Sequence, residues 1–201
     1  MSKPILHIDN LFKWFPLRRT LQEFATRQRR WVKAVDGITF SIHEGEIFGL
    51  VGESGCGKTT TGKLVMKLLE PTGGKIIYKN EDITHLESKR LKEYRRHVQM
   101  IFQDPYASMN PRFRARDVLE EPLLIHQVGE NRTERNKIIA RALEEVRLIP
   151  PDEFMDRFPH MLRGGQRQRV ATARTLVLSP NMLVADEPVS MIDLSTRAEI
   201  L

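Results

Sequence analysis

The sequence has few of the features that mark secreted or membrane-spanning proteins. Its 201 residues include one cysteine, Cys56, which excludes an intrachain disulfide and is typical of a reducing compartment. The amino-terminal stretch MSKPILHIDN lacks the apolar centre of a secretory signal. No apolar run approaches the roughly 20 residues that cross a bilayer, so we expect no membrane span. Any membrane contact would then go through a partner or through the protein surface.

The composition is that of a globular chain with a modest basic excess. Hydrophobic residues make up 40% of the chain, enough for one sizeable core and a small second unit. Lysine and arginine total 32 against 26 acidic residues, which gives a net charge of +6. This surplus could favour phosphates, nucleic acid or an anionic membrane, but a solvated basic surface is the simpler explanation.

Apolar patterns predict strands of two kinds. Alternation around residues 6–9 and 38–43 predicts half-buried strands, and residues 74–80 resemble a strand that leads into a turn. The basic segment 16–33 is interpreted as a surface insertion, partly helical. Continuous apolar runs predict buried parallel strands, and these runs lie at residues 46–51, 98–102 and 181–186.

Helical periodicity divides the chain into two parts. Apolar residues at helical spacing predict helices at residues 58–69 and 131–148. We also expect a polar helix at residues 87–97 and a further helix at residues 165–178. Residues 105–163 show no strand pattern, so we expect them to form an inserted helical subdomain. Residues 1–104 and 164–201 would form a nucleotide-binding core around it.

The stretch GESGCGKT at residues 52–59 fits the pattern G-x-x-x-x-G-K-[ST], between a predicted strand and a predicted helix. Its glycines let consecutive amides point inward, and the helix N-terminus adds partial positive charge. Lys58 would neutralise β- and γ-phosphate oxygens, and Thr59 would ligate Mg²⁺. A reactive thiol at Cys56 is conceivable, but a small side chain that fits a tight loop is the favoured interpretation. The predicted nucleotide-binding residues of this loop are Gly52, Glu53, Ser54, Gly55, Cys56, Gly57, Lys58, Thr59 and Thr60.

The stretch MLVADE at residues 182–187 supplies acidic groups. Its apolar residues would deliver Asp186 to the carboxyl edge of the sheet, where phosphates bind in open α/β folds. Asp186 would then join the Mg²⁺ shell, and Glu187 would polarise a water for attack on the γ-phosphate. Gln103, at the end of the strand VQMIF, could contact Mg²⁺ or that water, although a surface role is the default for such a glutamine.

Together, and in this order, these pieces resemble the ATP-binding cassette family. Residues 52–59 match its Walker A motif, Gln103 its Q-loop and MLVADE its Walker B motif, while LRGGQ (162–166) matches its LSGGQ signature and SMID (190–193) its D-loop. The stretches QDPYASMNPRFRARDVLEEPL, AVDGITFSIHEGEIFGLVGESGCGKTT and ADEPVSMID are similar to the branch that imports oligopeptides, dipeptides and nickel. The resemblance implies an α/β fold, with a RecA-like P-loop NTPase core, an N-terminal antiparallel β region and an inserted helical subdomain.

The resemblance also implies a function and a set of partners. The protein would be an ATPase subunit, at the cytoplasmic face of the cell membrane, that energises import of peptides or similar solutes through membrane permease subunits. A second cassette, identical or related, would pair with it and sandwich ATP and Mg²⁺ against the signature residues Arg163, Gly164, Gly165 and Gln166. Phe15, with Trp14 as the alternative, would stack on adenine, and Asp193 would reach across the dimer to organise the opposite site. Nucleic acid is not an expected partner.

Two features depart from the family pattern. The family has serine where this chain has Arg163, and we hypothesise that the longer side chain weakens dimer closure or hydrolysis while ATP binding to Walker A persists. The chain stops at Leu201, and no histidine follows Walker B, so we expect the C-terminal part of the cassette, with its switch histidine, to be missing. Two alternatives therefore stay open: a truncated cassette that binds ATP without efficient hydrolysis, and a soluble cassette ATPase outside transport.

Overall fold

The computed structural model describes residues 3–17, 30–102 and 109–187. The chain divides into two compact units, Met1–Leu91 and Lys92–Leu201. In the described part of the chain, no helix combines the length and hydrophobicity needed to cross a membrane.

An antiparallel sheet dominates the first unit. Its two long strands, β1 (Pro4–Pro16) and β2 (Trp31–His43), pair with each other, and β1 also pairs with β3 (Gly73–Tyr78), which is followed by the short strand β4 (Glu81–Asp82). The predicted alternation places Leu6 and Ile8, both fully buried, on the same side of β1. Leu11 is also fully buried, after a shift in the strand register between Ile8 and Leu11. The expected N-terminal antiparallel β region is therefore confirmed.

The segment interpreted as a surface insertion begins and ends within this sheet. Pro16 is the last residue of β1, and residues 31–33 open β2, so the strands extend further than the interpretation allowed. The stretch 18–29 lies outside the described residues.

The prediction of a buried strand at residues 46–51 is wrong. Ile47 and Val51 are 99% and 94% exposed, and no strand pairing includes this stretch within the described ranges. A parallel strand requires neighbours that satisfy its backbone groups, and its apolar side chains require cover on both faces. The parallel strands that the structure describes pair with each other and belong to the second unit. In the first unit, residues 46–51 pair with no described strand, and their side chains are exposed.

Two helices follow the exposed stretch. Helix α1 (Lys58–Val65) buries Leu64 and Val65, but it ends earlier than predicted because Lys67 adopts a left-handed conformation with φ 54°. Helix α2 (Ser88–His97) is polar, as predicted, and it spans the boundary between the two units.

The second unit contains a small parallel sheet. Strands β5 (Val98–Ile101) and β6 (Met182–Ala185) pair in register, with Ile101 opposite Ala185 at their carboxyl ends. Both strands occur where the apolar runs predict them. β6 is less buried than its sequence suggests, because alternate residues, Leu183 and Ala185, are exposed.

The other regular elements among the described residues of the second unit are helices. They are α3 (Ala115–Ile125), α4 (Arg132–Glu145), α5 (Pro151–Met155), a 3₁₀ turn (Pro159–Met161) and α6 (Gly164–Leu176). Asn131 is the N-cap of α4, and its side chain accepts a hydrogen bond from the Glu134 amide. The core of this helical cluster includes Leu119, Leu123, Ile139, Leu143 and Val170.

The helical cluster can be compared with the helical subdomain expected at residues 105–163. No strand occurs in the described residues 109–163, in agreement with a helical subdomain. Helix α6 contributes Val170 and Ala173 to the same core as α3 and α4. The boundary between residues 163 and 164 therefore stays a prediction.

Candidate functional site

The approach to the glycine-rich loop begins at the end of β2. Gly45, with φ 75°, allows a turn there, and the Glu46 carboxylate accepts a hydrogen bond of 2.7 Å from the His43 amide. That bond, and a second one from the His43 ring at 3.2 Å, lower the pKa of Glu46. The turn sends the chain into the exposed residues 46–56, which lead to Gly57 and α1.

Gly57 is the point at which the loop becomes a helix. It is the N-cap of α1, with φ 100° and ψ 4°, a left-handed conformation that disfavours side chains. A Cβ atom at this position would lie 2.1 Å from the carbonyl oxygen of Ala34 in β2. The backbone therefore requires glycine here for two independent reasons.

The N-terminus of α1 has the properties of an anion site. The Gly57 carbonyl accepts bonds from the Thr61 amide at 2.8 Å and the Thr61 hydroxyl at 3.0 Å, so the first turn is well formed. No side chain caps this end of the helix, and its first turn contains no acidic residue. The partial positive charge of the helix end is thus available to a phosphate.

Lys58 turns its side chain back into the loop. Its Nζ donates hydrogen bonds to the carbonyl oxygens of Gly52, at 2.7 Å, and Glu53, at 2.8 Å. The ammonium also lies 3.8 Å from the Cys56 sulfur. A positive charge is therefore held within the loop, next to the helix N-terminus.

The remaining loop residues fit a magnesium nucleotide. Cys56 is exposed, and its sulfur would lie 2.6 Å from a Cβ atom at Gly52, so the loop admits no side chain at residue 52 without rearrangement. Thr59, the second residue of α1, is exposed. Its hydroxyl provides a hard oxygen of the kind that Mg²⁺ prefers. The loop thus combines backbone amides, one ammonium and one hydroxyl, which is the donor set that a triphosphate with Mg²⁺ requires.

Trp14 and Phe15, the two candidates for an adenine contact, have different surroundings. Trp14 donates from its indole nitrogen to Asp36 at 3.0 Å, and the Lys33 ammonium lies 4.7 Å from its ring centre. Phe15 has the Lys13 ammonium 5.1 Å from its ring centre. Because successive side chains of a strand point to opposite faces, the two rings cannot serve the same contact. The assignment of Phe15 to adenine stays a prediction.

Asp186 follows β6 directly, in the second unit. Its amide donates to the Ile101 carbonyl at 3.0 Å, which continues the pairing of β5 and β6 by one step. Glu187 is exposed and has φ 46°, a left-handed conformation that costs a non-glycine residue about 1–2 kcal/mol. Such strain occurs often at functional sites. Both carboxylates thus lie at the carboxyl edge of the small parallel sheet, as predicted.

Two predicted site residues lie outside the described part of the chain. Gln103 comes two residues after β5, and Asp193 belongs to the stretch SMID at residues 190–193. Their roles stay predictions.

The glycine pair at residues 164–165 opens helix α6. Arg163 is the N-cap, with an extended backbone at φ −71° and ψ 162°, and its amide donates to the Gln166 side-chain oxygen at 3.0 Å. A full capping box needs a second bond, from the residue 166 amide to the N-cap side chain. The arginine side chain has no acceptor, so Arg163 cannot provide that bond.

The comparisons with known proteins identify the family. Residues 35–190 match the family described as ABC transporter. The chain belongs to this family. The expected α/β cassette fold is confirmed by solved structures: the ATP-binding cassette MJ0796, a dimer bound to ADP and Pi, superposes with a TM-score of 0.82 at 28% identity, over 97% of this chain and 79% of that one. The cassette cbiO1 from Clostridium perfringens superposes with a TM-score of 0.78 at 26% identity, over 99% of this chain and 71% of that one.

The relatives of this cassette also confirm the predicted branch. This chain is 44% identical over 201 residues to the oligopeptide transport ATP-binding protein AppF of Bacillus subtilis, and the aligned region is 100% of this chain and 59% of AppF. It is also 41% identical over 201 residues to the dipeptide transport ATP-binding protein DppF of Escherichia coli, and the aligned region is 100% of this chain and 58% of DppF. The chain thus spans a little under three fifths of the length of these relatives.

The sequence interpretation missed two structural contacts of the cassette. Ala34 excludes side chains at residue 57 through its carbonyl oxygen, a long-range contact that leaves no local signal. Gln166 caps the start of α6, and here a signal existed, because a glutamine three residues after an N-cap is half of the capping-box pattern.

Proposed function

We propose that this chain forms part of an ATP-binding subunit that energises import of peptides or similar solutes through a membrane permease, at the cytoplasmic face of the membrane. The observation that carries the proposal is the loop at residues 52–59, where the Lys58 ammonium is held beside the uncapped N-terminus of α1. The names of the relatives, which are oligopeptide and dipeptide transport ATP-binding proteins, support the choice of transport over a soluble role.

Nucleotide binding is the first step. The triphosphate of ATP would accept hydrogen bonds from the amides of the loop and of the first turn of α1. Lys58 would exchange the carbonyls of Gly52 and Glu53 for phosphate oxygens, which bind the ammonium more strongly because the acceptor is then charged as well as the donor. Thr59 and Asp186 would hold Mg²⁺, whose charge offsets that of the phosphates, and Phe15 would stack on the adenine.

Hydrolysis is the second step. Glu187 would orient and polarise a water molecule for in-line attack on the γ-phosphate, with Gln103 as a further contact to that water or to Mg²⁺. A second cassette would close the site with its own copies of Arg163, Gly164, Gly165 and Gln166, and Asp193 would act across that interface. The dimeric state of the MJ0796 cassette supports such a pairing.

Coupling to transport is the third step. The helical cluster of the second unit, α3 to α6, would dock on the cytoplasmic side of the permease subunits. Closure of two cassettes around ATP would then shift the permease between its two faces, because ATP binds the closed state more tightly than the open one.

Nucleotide affinity provides the direct test. Calorimetry on the purified 201-residue chain should show binding of ATP in the presence of Mg²⁺. Lys58→Met should raise the dissociation constant by about tenfold or more, because charged hydrogen bonds contribute about 1.5–3 kcal/mol each. Lys137→Met, at an exposed position of α4, is the matched control and should bind as the parent does. Equal affinities for the two variants would contradict the proposal.

Two further measurements separate the alternatives. Release of phosphate from bound ATP supports the hydrolytic subunit, whereas tight binding without release supports a cassette that does not hydrolyse ATP. Co-purification with permease subunits supports transport, and co-purification with nucleic acid supports a soluble cassette ATPase.

A further inference from the structure

Two helices of the second unit contribute a group of basic side chains that the predicted nucleotide site does not use. This basic cluster consists of Lys92, Arg96 and His97 on α2 and His126, the C-cap of α3. Lys92 and Arg96 are four residues apart, about one helical turn, so they lie on the same face of α2. Both are exposed, whereas the two histidines are half-buried. A solute can therefore reach the cluster.

The basic cluster has no acidic partner. Within residues 3–17, 30–102 and 109–187, its four side chains make no hydrogen bond and no ion pair, and Glu93, its acidic neighbour on α2, makes none either. Other arginines of the same unit are neutralised: Arg135 binds Glu120 at 2.8 Å, and Arg174 binds Glu121 at 2.7 Å. The cluster is thus a local excess of positive charge that the described residues do not compensate.

The charges on the two helices are close enough to affect one another. The pKa of His126 is lowered, first by burial and then by the positive charges of Lys92, Arg96 and His97 on α2. The partial negative charge at the C-terminus of α2, about half an elementary charge, offsets only a fraction of this repulsion. A bound anion would relieve it, and would favour the charged form of the His126 imidazole.

We propose that the basic cluster binds a phosphate group, either free or carried by a larger molecule. A phosphate dianion presents oxygens on several sides, so ammonium, guanidinium and imidazole donors can bind it together. A single carboxylate has one negative charge and two oxygens, and would leave most of the cluster uncompensated. The site shares no residue with the loop at residues 52–59, and it does not depend on the proposed role in transport.

Histidine NMR tests the proposal on the 201-residue chain. The ring signal of His126 is assigned by its loss in His126→Gln. Inorganic phosphate should shift this signal saturably and raise the pKa of His126, because a bound dianion stabilises the imidazolium. Sulfate should do the same, and it does not titrate near neutral pH, so the rise would not reflect protonation of the ligand. Sodium chloride at equal ionic strength should give a smaller shift without saturation, since it only screens the charges.

Variants test which residues bind the phosphate. Arg96→Gln should raise the dissociation constant obtained from the His126 signal about tenfold, because a charge-assisted hydrogen bond is lost. Arg112→Gln is the matched control, since Arg112 is also exposed but lies before the opposite end of α3, and it should bind as the parent does. Circular dichroism verifies that both variants are folded. Lys58→Met should leave the His126 shift unchanged, which separates this site from phosphate bound at residues 52–59.

A vesicle experiment identifies the source of the phosphate group. Vesicles of phosphatidylcholine mixed with phosphatidic acid present it as a lipid headgroup. Sedimentation of the chain with these vesicles, reduced by Arg96→Gln and not by Arg112→Gln, would assign the site to a lipid. A saturable His126 shift with inorganic phosphate and no sedimentation would assign it to a free phosphate or a small phosphate ester.

Three results would overturn the proposal. The first is the absence of both a saturable His126 shift and vesicle binding. The second is an equal dissociation constant for Arg96→Gln and Arg112→Gln. The third is binding of RNA that depends on Arg96 while inorganic phosphate leaves the His126 signal in place, which would assign the cluster to nucleic acid.

Discussion

Helices α1 and α6 both begin at glycine-containing segments that are predicted to face phosphate, yet the two beginnings are built differently. Helix α1 starts at Gly57, in a left-handed conformation and with the Ala34 carbonyl oxygen where a Cβ would be. Helix α6 starts at Arg163, in an ordinary extended conformation and exposed to solvent.

The difference shows which positions tolerate a change. At α1 the backbone admits no side chain, and no side chain caps the helix, so its amides are available to a ligand. At α6 the Gln166 side chain binds the Arg163 amide, and the exposed N-cap admits a long side chain. Arg163 is therefore compatible with the fold of its own chain.

The largest effect is expected for Gly57→Ala. The new Cβ would lie 2.1 Å from a backbone oxygen that cannot move without displacing β2, and φ 100° is strained for alanine. We expect a loss of about 3 kcal/mol or more in the free energy of unfolding of the first unit. Urea denaturation followed by tryptophan fluorescence measures it, because both tryptophans lie in that unit.

Gly55→Ala is the matched control for this change. Gly55 also has a left-handed backbone, at φ 82°, but a Cβ atom there would meet nothing within 4 Å. Its cost should be limited to the backbone strain of about 1 kcal/mol. If the two glycine variants were equally stable, the steric contact with Ala34 would not be what defines the start of α1.

A smaller effect is expected for Gln166→Ala at the other helix. The Arg163 amide would lose its hydrogen-bond acceptor, which should destabilise the second unit by about 0.5–1.5 kcal/mol. Gln166→Glu should keep the acceptor and add a favourable charge at the helix N-terminus, so it should be at least as stable as the parent. Urea denaturation followed by helical circular dichroism compares them. A stable Gln166→Ala variant would show that the cap contributes nothing.

The features that the sequence predicted well depend on local patterns. Alternation around Leu6 and Ile8 identifies the buried face of β1, because the period of a strand is visible in a few residues. The same holds for α4, where the predicted apolar stripe includes Ile139 and Leu143, both fully buried. The start of α1 at Lys58 was also predictable, since the glycine-rich pattern at residues 52–59 places a helix directly after the loop.

The features that the sequence predicted poorly depend on distant neighbours. The run at 46–51 is as apolar as β5, but a run of apolar residues does not reveal whether ladder partners are present. The contact of Ala34 with Gly57 joins residues 23 positions apart, so no local pattern encodes it. The surroundings of Trp14 and Phe15 likewise depend on Lys33, Asp36 and Lys13 rather than on the order of the two aromatic residues.

The smallest effect, and one of opposite sign, is expected for Arg163→Ser. A serine hydroxyl can accept the bond from the residue 166 amide that arginine cannot, so the capping box of α6 would be complete. The second unit should gain about 0.5–1 kcal/mol in its free energy of unfolding. The same circular dichroism assay measures this gain, and Arg163→Ala is its control because it removes the arginine without adding an acceptor. Phosphate release by the serine variant should also be faster than that of the parent, if arginine hinders closure against a second cassette. A gain in stability without faster release would confine the effect of Arg163 to the start of its own helix.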